Sequence, residues 1–359
     1  MKKVKNIAVS VLFSLCLTYL GAQTTYHNAD QFTLLGKISA ETETRYERLP
    51  AYLKDISRPP VWGLGKNTSG LAIRFRTNSS SISAKWVVTN NNHMNHMTDT
   101  GIKGLDLYAW DDDQWKFVNA ALPSGKENER TIISNMTPSE REYMLFLPLY
   151  DGVESIEIGV DSAAYIKNAS LDYPKTESPV VVYGTSITQG GCATRPGMSY
   201  TNILTRSINR EFINLGFSGN GQLDYEIAEL MSTRKDAGMF ILDFVPNVNA
   251  EQLKEKTRNF FDIIRKENPN TAILFMETIM FPHSEFDTKT NEIITEKNRL
   301  LREEYDQIKK EGDNNVYYLS TSNLIGFDGE ATVDGVHMTD LGFLRIAKEI
   351  QNKIIPLLD

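Results

Sequence analysis

The chain has 359 residues, 41% of them hydrophobic and 23% charged, and a formal net charge of −8. That length leaves room for two domains with ordinary apolar cores. The acidic balance excludes a protein that seeks phosphate backbones, so nucleic acid is not an expected partner, and anionic membranes would repel it.

Lys2, Lys3 and Lys5 precede a 14-residue apolar stretch from Ile7 to Leu20, followed by Gly21-Ala22. A basic start, a short apolar run and small residues at its end read as a signal peptide over residues 1–22. The run is too short to span a bilayer comfortably. Its removal takes away three lysines and no acids, moving the net charge from −8 to −11. Cys16 leaves with it, so only Cys192 remains and no internal disulfide is possible. Cys192 reads as a small buried apolar filler. The mature chain is expected to be exported, to the periplasm or beyond, with no membrane insertion after cleavage.

From Gln23 to Ser170 apolar residues recur with period two. Leu71, Ile73 and Phe75 share one face, with Arg74 and Arg76 on the other; Asn78 to Ser80 turn the chain, and Ile82, Ala84 and Trp86 resume the alternation. Leu105 to Ala109, Trp115 to Val118, Tyr143 to Leu147 and Ile156 to Val160 continue the series. Helical periodicity is scarce, so residues 23–173 are expected to form an antiparallel β-sandwich or jelly roll. All four tryptophans, Trp62, Trp86, Trp110 and Trp115, fall in this half; core packing is their default role and a sugar-stacking platform the sharper one. His93 and His96 form an H-x-x-H pair in a polar stretch, without an acid or cysteine nearby except Asp99. A loop facing the active-site side is preferred there to a metal site.

Leu171 to Pro179, polar and with two prolines, reads as a linker. Beyond it the pattern alternates between short apolar strands and helices. The strands are expected at Val180–Tyr183, Phe212–Leu215, Met239–Val245, Ala272–Met280 and Val316–Leu319. The helices are expected at Tyr200–Arg210, Asp224–Arg234, Ala250–Lys266, Thr290–Lys310 and Thr339–Leu358. Five strands alternating with five helices imply an α/β domain over residues 178–359, a parallel five-stranded sheet flanked by helices on both faces. Ligands in such sheets bind beyond the carboxyl ends of the strands.

Chemistry-bearing residues fall at those ends. Ser186 follows the first strand in Gly184-Thr185-Ser186-Ile187-Thr188, where its hydroxyl can stand exposed before a helix. A neutral hydroxyl needs a base to take its proton. Of the five histidines, His27, His93, His96, His283 and His337, only His337 lies three residues after an acid at the mouth of the last helix. Asp334 at that spacing can orient the imidazole and stabilise its protonated form. The order Ser, Asp, His resembles the α/β-hydrolases, but Thr188 stands where their G-x-S-x-G elbow carries its second glycine.

Ser186, Gly219, Asn247, Asp334 and His337 resemble, in order and approximate spacing, the blocks of the SGNH (GDSL-type) hydrolase superfamily, whose domain is flavodoxin-like. The resemblance covers roughly residues 178–359. Gly104-Leu105-Asp106-Leu107-Tyr108 is similar to the sandwich domain that precedes a carbohydrate-esterase-like bacterial subset. By resemblance, the Ser186 and Gly219 amides and the Asn247 side chain form an oxyanion hole; Gly219 is preferred to Gly216 or Gly221 on resemblance alone. Thr185 replaces the family's common Asp beside the serine, and Pro246-Asn247 replaces its Gly-x-Asn-Asp. Arg195, just past the serine loop, is a candidate substrate contact.

These features together imply an exported serine esterase that needs no metal or organic cofactor. It is expected to remove short acyl groups, acetyl above all, from a small-molecule or glycan ester. A lipase or thioesterase of the same fold, and a glycan-binding protein with an inactive hydrolase fold, are the alternatives.

Overall fold

A computed structural model describes residues 23–321 and 324–358; the leader expected at 1–22 lies outside them. Two antiparallel sheets are built from the first half. One runs in the order Thr24–Asn28, Val153–Asp161, Ile82–Val88, Glu127–Ile133. The other runs Ile166–Asn168, Ala72–Thr77, Arg141–Phe146, Leu105–Asp111, Gln114–Ala121, with Thr33–Leu35 also pairing to Ala72–Thr77. Their facing side chains share one core in which Ile73, Phe75, Trp86, Leu107, Tyr143 and Ile158 are buried. Phe75 and Tyr143, on paired strands, stack with ring centroids 5.3 Å apart.

The second half forms the parallel five-stranded sheet, in the order Arg210–Gly216, Lys175–Gly184, Met239–Asp243, Ala272–Met276, Val316–Leu319. Side-chain alternation divides its core in two. Val181, Tyr183, Phe240 and Leu242 face one helical layer, and Val180, Val182, Met239 and Ile241 the other. Burial on both faces is why these strands read as continuous apolar runs. Helices occupy Tyr200–Ile208, Tyr225–Ser232, Ala250–Glu267, Thr288–Lys310 and Asp340–Ile354. Among the described residues no helix is long and apolar enough to cross a membrane.

Two expectations change. The linker expected at Leu171–Pro179 is half strand, because Lys175 to Pro179 begin the first parallel strand. The Lys175 amide donates to Asn209 O and Gly238 donates to Pro179 O, but the Lys175–Ser178 side chains are exposed. Backbone pairing without side-chain burial leaves no hydrophobic period to read.

The other change concerns residues 36–67, which are shared between the two cores, Tyr46 packing in that of the sandwich. Ala51–Asp55 is a 3-10 turn and Pro59–Gly65 a short helix, and Ile38, Leu49, Leu53 and Val61 join the core of the parallel-sheet half. Arg48 anchors this segment. It is fully buried and donates to the carbonyls of Leu64, Asn67, Asn214 and Gly216.

The motif Gly104–Tyr108 acquires a physical meaning as a clamp between the halves. Asp106, fully buried, accepts from Arg195 Nη1 at 2.6 Å and from the Gly197 amide at 2.8 Å. The Tyr108 ring lies 4.0 Å beneath the Arg206 guanidinium. The tryptophans are likewise spent on packing. Trp86 donates from its indole to Lys103 O, Trp110 meets Trp115 edge-on, and Trp62 lies against the core of the parallel-sheet half.

Candidate active site

The serine loop is a tight piece of backbone. Thr185 caps the one-turn helix Ser186–Gln189, its hydroxyl accepting from the Ile187 amide, and Thr188 Oγ1 accepts from the Thr185 amide. Thr185 therefore supports the serine loop itself. A Cβ at Gly184 would collide with Thr188 Oγ1 and press on Asp243 O, so only glycine fits where the strand turns into the loop.

Beneath the loop lies a polar network the sequence did not announce. Thr188 Oγ1 and Tyr200 Oη both donate to Asp243 Oδ2, at 2.8 and 3.0 Å. Burial pushes the Asp243 carboxyl up to about 6, against the lowering effect of those two donated bonds. Because the folded-state value lies above the unfolded one, the fold binds the extra proton and stability falls as pH rises from about 4 to 6. Asp243→Asn removes that slope. Relative to wild type the variant is expected to gain about 2 kcal/mol between pH 4 and 7, read from urea midpoints at the two values. A gap between the two proteins that does not change with pH would contradict this assignment.

The sandwich half holds the loop from the other side. Ser69 Oγ donates to Gln189 O at 2.6 Å, Gln189 Nε2 donates to Leu149 O, and Tyr150 Oη donates to Ser186 O at 3.2 Å.

On this support, residues 151 positions apart meet. His337 Nε2 is 3.0 Å from Ser186 Oγ, and His337 Nδ1 is 2.7 Å from Asp334 Oδ2. With Nδ1–H donated to the carboxylate, Nε2 is the free acceptor for the serine proton. Asp334 Oδ1 also accepts from the amides of Val336 and His337, which locks the turn. Burial would raise the Asp334 carboxyl, but the bonds from the His337 ring and these two amides outweigh it and hold it at about 2. It remains an anion wherever the imidazole can act.

The three donors expected of the oxyanion hole are without a protein acceptor among the described residues: the Ser186 amide, the Gly219 amide and Asn247 Nδ2. The neighbouring glycines are spoken for, since the Gly216 amide donates to Asn214 Oδ1 and the Gly221 amide to Asn247 Oδ1. Gly219 has a φ of +67° and open space around its Cα. A physical reason thus separates it from the other two glycines. The bond from Gly221 also turns the Asn247 amide, leaving its NH2 end free. Asn247 closes the 3-10 turn Val245–Asn247, and Lys297 donates to Pro246 O, so this loop is held without the Gly-x-Asn-Asp pattern.

The GDSL-like lipase/acylhydrolase family model matches residues 177–355, and the model of the N-terminal domain of SGNH-type esterases matches residues 24–166. A crystal structure described as a GDSL-like lipase from Bacteroides ovatus is 38% identical, with 94% of this chain and 98% of that one aligned and a TM-score of 0.89. The chain belongs to the GDSL-like (SGNH) hydrolase family. Two further solved structures share the fold of this SGNH hydrolase. A salicylyl-acyltransferase from a tetracycline biosynthetic pathway is 17% identical, with 93% and 97% of the two chains aligned and a TM-score of 0.74. An acetyl xylan esterase from the rumen bacterium Butyrivibrio proteoclasticus is 11% identical, with 94% and 100% aligned and a TM-score of 0.55. No curated protein matches the sequence of this SGNH hydrolase.

Arg195, the candidate substrate contact, is held against the sandwich half. Its guanidinium is paired with Asp106, donates to Tyr108 Oη and lies 3.9 Å over the Phe117 ring. A planar cation committed to a buried carboxylate and an aromatic face is a domain clamp in this SGNH hydrolase.

The H-x-x-H pair splits. His93 turns to Asp99 at 2.8 Å, whereas the His96 ring meets that of His337 edge-on, centroids 5.4 Å apart. Only the tertiary fold brings this sandwich-half histidine to the site. Cys192 is buried as expected, and burial, with Asp334 adding, pushes its thiol up to about 12.

Proposed function

We propose that the chain is an exported serine esterase that hydrolyses short acyl esters, acetyl foremost, carried on carbohydrates. The single observation that carries the reading is the continuous run of hydrogen bonds from Asp334 through His337 to Ser186, ending beside three unclaimed donors. His337 Nε2 takes the serine proton as Oγ attacks the ester carbonyl. The Ser186 and Gly219 amides and Asn247 Nδ2 receive the developing oxyanion, each such donor being worth about 10²–10³ in rate. Asp334 stabilises the imidazolium, which returns its proton to the leaving alcohol. Water, deprotonated by the same imidazole, then releases the carboxylic acid from the acyl-enzyme. Acidification that protonates His337 removes the base and slows the reaction.

The carbohydrate part of the reading draws on the resemblance of the paired domains to SGNH esterases, with an acetyl xylan esterase among the proteins of like fold. The acyl length has a specific rival. A mostly apolar groove of about 690 Å³ lies against Asn247, lined by Val248, Ala250 and Ile293 among others, and could seat a longer chain. Nitrophenyl esters from acetyl to octanoyl decide between them. A steep fall in kcat/KM with length is expected, and a rise would move the assignment to a lipase or thioesterase. Acetate release from a panel of acetylated glycans is the direct test. Glycan binding without turnover that Ser186→Ala can abolish would leave only a binding protein. Export is checked by sequencing the mature amino terminus, expected after Ala22.

A further inference from the structure

Among the described residues, one trio of metal-capable side chains comes together: His96, Cys192 and His337, each offering one ligand atom within 4.8 Å of the others. They arrive from three places, the 90–97 loop of the sandwich half, the turn after the serine helix, and the loop before the last helix. We propose that this trio is a reversible inhibitory site for a thiophilic divalent cation, zinc above all.

The donor set suits such an ion. Imidazole and thiolate ligands select zinc or copper over magnesium or calcium, which take oxygen. Tetrahedral zinc with two nitrogens and one sulfur would draw the ligand atoms to about 3.3–3.6 Å apart. The side chains therefore need to close by at most roughly 1.5 Å, through small χ adjustments at His96, whose ring is only part-buried, and at Cys192. His96 Nδ1 lies 3.2 Å from Asn95 Oδ1, which leaves Nε2 unclaimed. His337 is already held in the manner of a zinc ligand, its Nδ1 bonded to a carboxylate that fixes the ring and raises its basicity.

The inhibition follows from which nitrogen is available. Nδ1 of His337 is taken by Asp334, so a metal can use only Nε2, the nitrogen that faces Ser186 Oγ. Metal binding and proton abstraction exclude each other. Metal binding itself is independent of the esterase reading; the inhibitory consequence rests on it.

The test uses full-length mature protein without a histidine tag. Zinc chloride is titrated against it in competition with a chromogenic chelator, and nitrophenyl acetate turnover is followed in parallel. One zinc per chain is expected, bound over the concentrations that suppress turnover, with full recovery on adding EDTA and no effect of magnesium or calcium. His96→Asn, on a part-exposed loop, and Cys192→Ser should each need at least about tenfold more zinc for both readouts, each compared with its own metal-free rate. A wild-type chain that does not compete for zinc overturns the proposal, as do variants that bind it as tightly as wild type. Zinc held by this trio in a chain with no metal-free esterase activity would leave the site standing and remove the esterase reading instead.

Discussion

Ser186→Ala is expected to lower kcat on nitrophenyl acetate by about 10⁴–10⁶, leaving a residual rate from the oxyanion donors and binding alone. His337→Ala should cost about as much, and the double variant little more than either single one. The physical reason is that nucleophile and base act in one step. Without the imidazole at 3.0 Å the hydroxyl keeps its proton, and without the hydroxyl the imidazole has nothing to activate but water. Asp334→Asn should cost less than either, because the geometry survives and only the tautomer and the charge facing the imidazolium are lost. The measurement is steady-state kinetics on wild type and the four variants. Losses that add would mean the two groups do not act as a unit. A Ser186→Ala variant with near wild-type turnover would move the chemistry elsewhere.

The largest effect on stability is expected at Arg48. Its guanidinium is buried without a carboxylate partner among the described residues and is satisfied by four backbone carbonyls. Burial pushes it down to about 9, so at neutral pH it remains a cation. Two of the carbonyls, those of Asn214 and Gly216, lie on the strand that leads to Gly219, and the other two belong to the docked 36–67 segment. Arg48→Ala leaves all four facing a cavity, and the Phe217 ring loses the guanidinium 5.2 Å from its centroid. A loss of about 3–5 kcal/mol follows from stranding that many buried polar groups. In a chain of this size that corresponds to a fall in Tm of roughly 4–7 °C. Arg48→Lys should recover little of it, since one ammonium cannot reach carbonyls arranged around a planar fork. A calorimetric Tm within 2 °C or so of wild type for Arg48→Ala would show that water takes over the carbonyls at small cost.

The two predictions probe different layers of the molecule, and they were legible in the sequence to different degrees. Ser186, Asp334 and His337 could be named from their order and from the strands they follow. The Asp334–His337 contact is local, a turn of three residues, and local geometry survives in sequence. Gly219 could be preferred to its neighbours only by resemblance, because the deciding fact is which of three amides has no acceptor. Arg195 was expected at the substrate because it follows the serine loop. Its partners Asp106, Tyr108 and Phe117 lie 78 to 89 residues upstream, and no spacing rule spans that distance.

Period-two alternation in the first half, and apolar runs alternating with amphipathic helices in the second, were enough to establish an all-β portion followed by a parallel α/β sheet, since burial imposes those periods on the residues themselves. Three features depended on the folded chain. Residues 36–67 dock on the hydrolase core, Asp243 lies beneath the serine turn with Thr188 and Tyr200, and His96 meets His337. Each is a contact between segments far apart in sequence, made by polar or irregular residues that carry no period. Their energies come from desolvation and from partners that exist only once those distant segments have been brought together.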